Sequence, residues 1–225
     1  MAKELMGPNG GWLNKFGKTV GFRWKGLDVF RVYVKPNNPK TQEQVLNRER
    51  FGLVGYIGGA LHDVLTMTMR AFAGKHHTVP QAQFVKQNYD LTSGTVGNVE
   101  IDYELLSVTP SDSRLTPIAL GELDTSVPLT LTVPVDNSYL DTNHNSANDK
   151  LYLVALAKKD NNGNEAEAVV SDGTAKRTSQ KVDLTVPSYW QGRFVEVYAF
   201  MAADEMSVRA GQFSRTLYCG SGRVA

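Results

Sequence analysis

The residue types best suited to chemistry cluster near the start of the chain. Lys15, Lys18, Arg23, Lys25, Arg31 and Lys35 interleave with Trp12, Phe16, Phe22, Trp24, Phe30 and Tyr33. Cations of this kind attract phosphates, and aromatic faces stack on bases. The same pattern describes a hairpin with its aromatic face in a core or an interface and a solvated charged face. A third reading is steering between copies of the chain. The first fifty residues hold ten Lys/Arg against four acids, a net +6, and the remainder carries −5. The overall charge of +1 therefore describes a basic head and an acidic body.

Catalytic and metal-binding patterns are weaker. His76-His77 is the only His pair, and no Cys or acid stands at zinc-motif spacing from it. His62-Asp63 adds one more His. Asp141, Asn143 and Asn145 occupy positions 1, 3 and 5 of a calcium loop. Position 6 is Ser146 rather than Gly, and position 12 is Tyr152 rather than Glu, so the bidentate anchor is missing. GPNGG at 7–11 has no Lys-Ser/Thr after it and reads as a turn rather than a phosphate loop. The G-x-S-x-G elbow is absent. Asp183 and Glu196 sit on separate strand segments and form no legible carboxylate dyad. The expectation is a non-enzymatic protein without metal or cofactor.

Strand and helix signals surround these basic residues. Residues 18–24 and 27–34 read as two strands around a turn at Lys25-Gly26. Pro36 and Pro39 stop the sheet. Thr41, with Gln44 three residues on, opens a helix as a capping box does. Apolar residues follow at helical spacing to about residue 73. Gly52, Gly55 and Gly59 share one face of that segment, a smooth stripe that another backbone could approach closely. The alternative is a break near Gly58-Gly59, since each glycine costs about 1 kcal/mol of helix propensity. Residues 80–88 read as a short helix, 98–108 as a strand and 109–127 as a loop or edge segment.

From residue 128 the pattern is all β. Segments 129–135, 150–160, 165–172, 181–187, 193–204 and 211–219 are strand candidates separated by turns such as NNGN at 161–164. The fold expected is α+β: an N-terminal β-hairpin plus helical segment, then a C-terminal immunoglobulin-like β-sandwich. The Cys…Trp…Cys mark of true immunoglobulin domains is missing, so only the architecture is implied. The expected domains are a basic hairpin and helical domain at 1–90, a connecting strand and loop at 91–127, and the sandwich at 128–225.

Composition removes several classes. With 225 residues, 41% apolar and 21% charged, the chain is long and apolar enough to bury a core and is not a disordered tail. The 20 Gly show no period of three, which excludes collagen. Cys219 stands alone, so no internal disulfide forms; it reads as a small buried hydrophobe near the last strand, and the chain as intracellular or indifferent to redox state. No run of about 18 apolar residues exists to span a membrane, and the start lacks a secretory apolar core.

At residues 7–54 the sequence resembles a domain-of-unknown-function family of Bacteroidetes bacteria and their phages. The residues that carry the likeness are Gly17-Lys18, Gly21, the run Phe22-Arg23-Trp24-Lys25-Gly26, Arg31, and Asn38-Pro39-Lys40-Thr41 with Gln44, Arg48 and Phe51. The family's ending matches at Arg177, Leu184, Pro187, Gly192, Val197-Tyr198-Ala199-Phe200, Ser214, Tyr218 and Gly220. Leu184-Thr185-Val186 replaces the usual leucine pair before Pro187, and Asp204-Glu205 stands where an Asp-Gly turn is common. The family has no assigned activity, so the resemblance implies no catalytic residues. It implies a phage-linked context: a structural component of a tailed-phage virion, in a collar, tail ring or capsid-associated position. Such a component is assembled in the host cytoplasm from copies of itself and other virion proteins. The expected contact residues are Lys18, Arg23, Trp24, Lys25, Arg31, Lys35, Arg48, Gly52, Gly55 and Gly59. One alternative is a DNA-binding or packaging-associated protein using the basic hairpin. Another is a sugar-binding host-attachment module using Tyr189, Trp190, Tyr198 and the 136–149 loop.

Overall fold

The structure is a computed structural model and describes residues 3–4, 12–24, 27–34, 38, 40–136, 146–159 and 163–225. The chain divides into two units, residues 1–41 and 42–225. The boundaries expected at 90 and 127 fall inside the second unit. The reason lies in its core, described below.

The first unit is an antiparallel meander of four strands: β1 (Lys3–Glu4), β2 (Trp12–Phe16), β3 (Thr19–Trp24) and β4 (Leu27–Val32), in that spatial order. The two expected strands are β3 and β4. Their register places Phe22 opposite Val29, and Gly21 opposite Phe30. Gly17 adopts a left-handed φ of 58° at the β2–β3 turn, where a residue without Cβ is least strained.

In the second unit α1 (Gln42–Ala60) is followed by α2 (His62–Lys75) and α3 (Pro80–Asn88). The long helical segment does break, at Leu61, directly after the Gly58-Gly59-Ala60 run. Helix α3 begins at Pro80, whose missing N–H costs nothing in the first turn. Strands β5 (Thr92–Thr95) and β6 (Asn98–Ile101) then form a hairpin. The strand expected over 98–108 ends at Ile101. Asp102 turns the chain there by accepting the N–H of Glu104 at 3.0 Å. Beyond it the backbone of residues 107–109 is held by side chains rather than by a ladder. Asn88 bonds both the N–H and the C=O of Ser107, and Thr216 accepts the N–H of Val108.

The remaining strands are β7 (Thr130–Pro134), β8 (Lys150–Ala157), β9 (Glu167–Val170), β10 (Lys181–Thr185), β11 (Phe194–Ala202) and β12 (Leu217–Arg223). They form an antiparallel four-stranded sheet, β12-β11-β8-β9, and a two-stranded sheet, β10-β7. The last strand expected at 211–219 starts instead at Leu217. A bulge follows: Val197 pairs with Gly220 and Tyr198 with Tyr218, leaving Cys219 as the extra residue. Gly220 absorbs it with a φ of 120°.

Two cores result. Alternate residues of β8 and β11, including Leu151, Leu153, Val195 and Val197, meet Leu131, Val133, Val182 and Leu184 of the small sheet. The intervening residues Val154, Leu156, Tyr198 and Phe200 point the other way and pack with Val54, Ile57, Leu65, Met69 and Phe84 of the helices. The helices thus complete the core of the C-terminal sheet, which is why a cut at residue 90 does not separate two bodies. Phe84 is fully buried, and its ring lies so close to α1 that a Cβ on Gly58 would stand 3.0 Å from it. Phe84→Ala should lower the unfolding free energy of the 42–225 unit by about 3–5 kcal/mol, read as a fall in the denaturation midpoint.

Candidate functional site

The described contact candidates of the first unit sit on β3, β4 and the turn before them. Lys18, Phe30, Arg31, Val32, Tyr33 and Val34 are exposed. Arg31 lies over the Phe22 ring at 5.6 Å, and the Tyr33 N–H donates to the Lys18 carbonyl at 2.6 Å. Along β4 and just past it, Phe30 is 49% exposed, Val32 69% and Val34 76%. Arg23 and Trp24 lie on β3, while Lys25 and Lys35 lie outside the described residues. Residues 1–41 hold eight Lys/Arg and two acids, so the structural boundary leaves the division at +6 and −5.

The glycine stripe sits on α1. A Cβ at Gly52, Gly55 or Gly59 would meet no described atom within 4 Å, so among the described residues no backbone lies against the stripe. The close approach happens instead at Gly58. Arg48 is exposed on the same helix.

Three arrangements were not legible in the sequence. The first is a set of ionisable groups where the helices meet the sheet. Glu196, buried on β11, pairs with the Lys158 ammonium and accepts the Tyr218 hydroxyl proton at 2.6 Å. Lys158 also lies 4.0 Å from the Tyr103 ring centre. Tyr198 donates to the Tyr103 carbonyl at 2.9 Å. Beside it opens a cleft of about 320 Å³, floored by Leu53, Ile57 and Leu156 and edged by Tyr56, Lys158 and Lys159. Tyr56 donates to Glu165 and accepts the Ala166 N–H, and Lys159 pairs with Glu165 at 2.9 Å. Lys158 and Lys159 thus each face a carboxylate.

The second arrangement is an ionic clamp. Asp149 and Arg177 are fully buried, and Arg209 is partly buried. The Asp149 carboxylate accepts the Ser146 N–H at 2.8 Å and faces the Arg209 guanidinium at 3.5 Å. Arg177 donates to the Thr116 carbonyl at 2.7 Å. Four separate segments are tied at one point, a role for Arg177 that needs no ligand.

The third is a groove of about 610 Å³ along the outer edge of β10, reaching Val170 and Asp172 at the end of β9. The small sheet ends at β10, which lies across from β8, while the large sheet runs one strand further to β9. All four β9 residues remain half-buried. Along β10, Val182 and Leu184 point inward and Lys181, Asp183 and Thr185 outward. Asp183 accepts from Thr132 at 2.7 Å and pairs with Lys181 at 2.8 Å; the lysine, chiefly, holds its carboxyl below the usual range.

Other expected residues fall out of consideration on geometry. Trp190 and Tyr198 are fully buried, and the Trp190 indole N–H donates to Glu167 at 3.0 Å. Of the aromatics named for sugar stacking, only Tyr189 presents a face. Most of the calcium-like loop, 137–145, lies outside the described residues. Among the described residues no three His, Cys, Asp or Glu gather as metal ligands, and no helix is long and apolar enough to cross a membrane. Cys219 is half-buried, and burial pushes its thiol up to about 12.

The described geometry offers a cleft between helices and sheet, an ionic clamp and a groove along β10. Residues 10–214 match DUF6266, a family of unknown function. The chain belongs to that family. No curated protein gives a significant match to the sequence. The DUF6266 match takes in both structural units, so the basic meander and the acidic body are parts of one family pattern rather than a chance fusion.

The open stripe and the buried tyrosines each have a measurable consequence. Gly52→Ala and Gly55→Ala should each stabilise the isolated chain by about 0.5–1 kcal/mol, because a methyl meets no described atom there; a lowered thermal midpoint would contradict the open stripe. At high pH the second unit should weaken. Burial and the bond to Glu196 raise Tyr218 from 10.0 to about 12, and burial raises Tyr198 as well. A raised folded-state value means the stabilisation is whole below pH 10 and is lost as pH climbs towards 12. Urea midpoints measured across that window should fall, with phenolate absorbance lagging behind that of the unfolded chain.

Proposed function

We propose that this protein is a non-enzymatic structural component acting through protein–protein assembly, as a collar, tail-ring or capsid-associated part of a tailed-phage virion. One observation carries the assembly reading. A +6 unit of 41 residues with exposed Phe30, Val32 and Val34 is joined to a −5 unit of 184 residues. The small unit contains neither Cys nor His, so neither disulfides nor the usual zinc ligands can brace it. Units near 40 residues ordinarily need such braces or a partner. Opposite charges on the two units make other copies of the chain a suitable partner. In this reading the two facing sheets of the second unit form an immunoglobulin-like sandwich, supported by the inward and outward alternation along β7 and β10. The virion setting rests on the family resemblance alone.

A second reading has its own observation: exposed Lys18 and Arg31 stand beside exposed Phe30 and Tyr33, a pairing of cations and rings that suits nucleic acid. One experiment treats both. Sedimentation of the full chain should show concentration-dependent association at low salt that weakens towards 1 M, where screening shortens to about 3 Å. A monomer at every concentration and salt overturns assembly. Duplex DNA added at low salt should leave the sedimentation unchanged; tight, salt-sensitive binding would favour the second reading.

A further inference from the structure

Helices α1 and α3 leave an apolar groove open on the second unit. We propose that this groove pairs with the same groove of a second copy about a two-fold axis, each copy setting its Phe51 ring into the other. The inference goes beyond the attraction between unlike units, because it joins two like surfaces, and salt separates the two contacts.

The groove is built by helices that run in opposite directions. Tyr89, just past α3, donates to Asn47 early in α1 at 3.1 Å. Phe84, earlier on α3, packs against Gly58 late in α1. On the outer side lies a space of about 340 Å³, lined by Phe51 of α1 and by Ala82, Val85, Lys86, Tyr89 and Asp90. The last five follow the spacing i, i+3, i+4, i+7, i+8, which is one stripe of a helix. Gln83, Phe84 and Asn88 take the buried side of α3. Val85 is the floor of the groove, only 6% exposed.

Phe51 stands at the rim and is 60% exposed. It is at once a wall of the groove and a knob beside it. In a two-fold contact each surface group is used twice, so a knob beside a hole fits its own copy turned over. An aromatic ring seated in an apolar pocket is the usual energetic centre of such a contact. Gly55 and Gly59 lie one and two turns beyond Phe51 on the same side of α1. A Cβ at either would meet no described atom within 4 Å, so α1 is smooth there and two copies can approach closely.

Charge selects the occupant. Lys86 and Asp90 stand one turn apart on the rim, both exposed, and neither has an ion-pair partner among the described residues. A two-fold rotation reverses their order. Lys86 of one copy then meets Asp90 of the other, and the same pair forms again across the axis. A row of mixed sign thus matches its own reverse, whereas a row of one sign repels its copy. Exposed pairs of this kind add little energy; they fix the register while the rings carry the contact.

Sedimentation and light scattering of the full chain in 1 M salt test this. Screening there shortens to about 3 Å, so the attraction between the +6 and −5 units fades while apolar burial persists. The wild type should keep twice the chain mass. Phe51→Asp should be monomeric with an unchanged circular dichroism spectrum, since the ring it removes is exposed. At the lowest salt that leaves the wild type a plain dimer, Lys86→Asp and Asp90→Lys should each raise the dissociation constant about tenfold, because each change recurs at two symmetric places. Mixed in equal amounts, these two should form a one-to-one dimer as tight as wild type, and the double variant K86D/D90K should do so alone. A wild type that associates at low salt but is monomeric in 1 M salt overturns this contact and leaves assembly standing. A monomer at every salt overturns both. A dimer retained by Phe51→Asp, or no rescue in the mixture, overturns the pairing of these grooves. A monomeric wild type that binds the apolar dye ANS, with binding lost in Phe51→Asp, assigns the groove to another occupant and overturns the second copy.

Discussion

The structure depends on a sheet that is apolar on both sides. Strands β8 and β11 are buried nearly throughout, so neither face tolerates water. Two covers are required, and the chain builds them from opposite ends: β7 and β10 on one face, α1 to α3 on the other. The unit 42–225 therefore holds together as one body in which elements far apart in sequence are neighbours in the middle. The same constraint governs its polar groups. Glu196 sits on the helix-covered face of β11 among Tyr198 and Phe200, where an unpaired carboxylate is costly. Lys158 and Tyr218 are the answer to that cost.

How much of this could be read beforehand follows from which signals are local. Helix α3 begins and ends where Pro80 and Asn88 stand in the sequence, and β7 to β11 fall within the expected segments, because alternation and turn residues are local properties. The domain boundary was not local. The partners of Val54, Ile57 and Phe84 are Val154, Leu156, Tyr198 and Phe200, far along the chain. One signal was nonetheless present: Leu151–Ala157 and Val195–Met201 are almost continuously apolar, whereas Lys181–Thr185 alternates. Unbroken runs mark strands covered on both faces, and they called for a second layer that the six C-terminal strands could not provide. Strands β1 and β2 escaped notice because they are short and flanked by Gly-rich sequence.

The candidate surfaces were legible in part, for a related reason. Charge is additive along a chain, so the +6 and −5 division survived intact when the boundary moved from 50 to 41. The glycine stripe falls on α1, and what lies opposite is a matter of tertiary packing: no described atom near a Cβ at Gly52, Gly55 or Gly59, and Phe84 for Gly58. The β10 groove had no sequence signal. An edge is defined by the strand that is missing beside it, and a pattern such as KVDLT is the same in the middle of a sheet as at its rim.

The two kinds of edge in this protein are treated differently, and the difference carries the argument for assembly. Natural sheets protect exposed edges with charges, prolines or covers. The small sheet has a charged outer row on β10 yet leaves the groove beside it open. Strand β4 is an edge of the first sheet and leaves Phe30 and Val32 substantially exposed. An edge left this way in a free monomer invites indiscriminate pairing. It is tolerable when a defined neighbour occupies it, and opposite net charge on the two units restricts which neighbour fits, since like units repel.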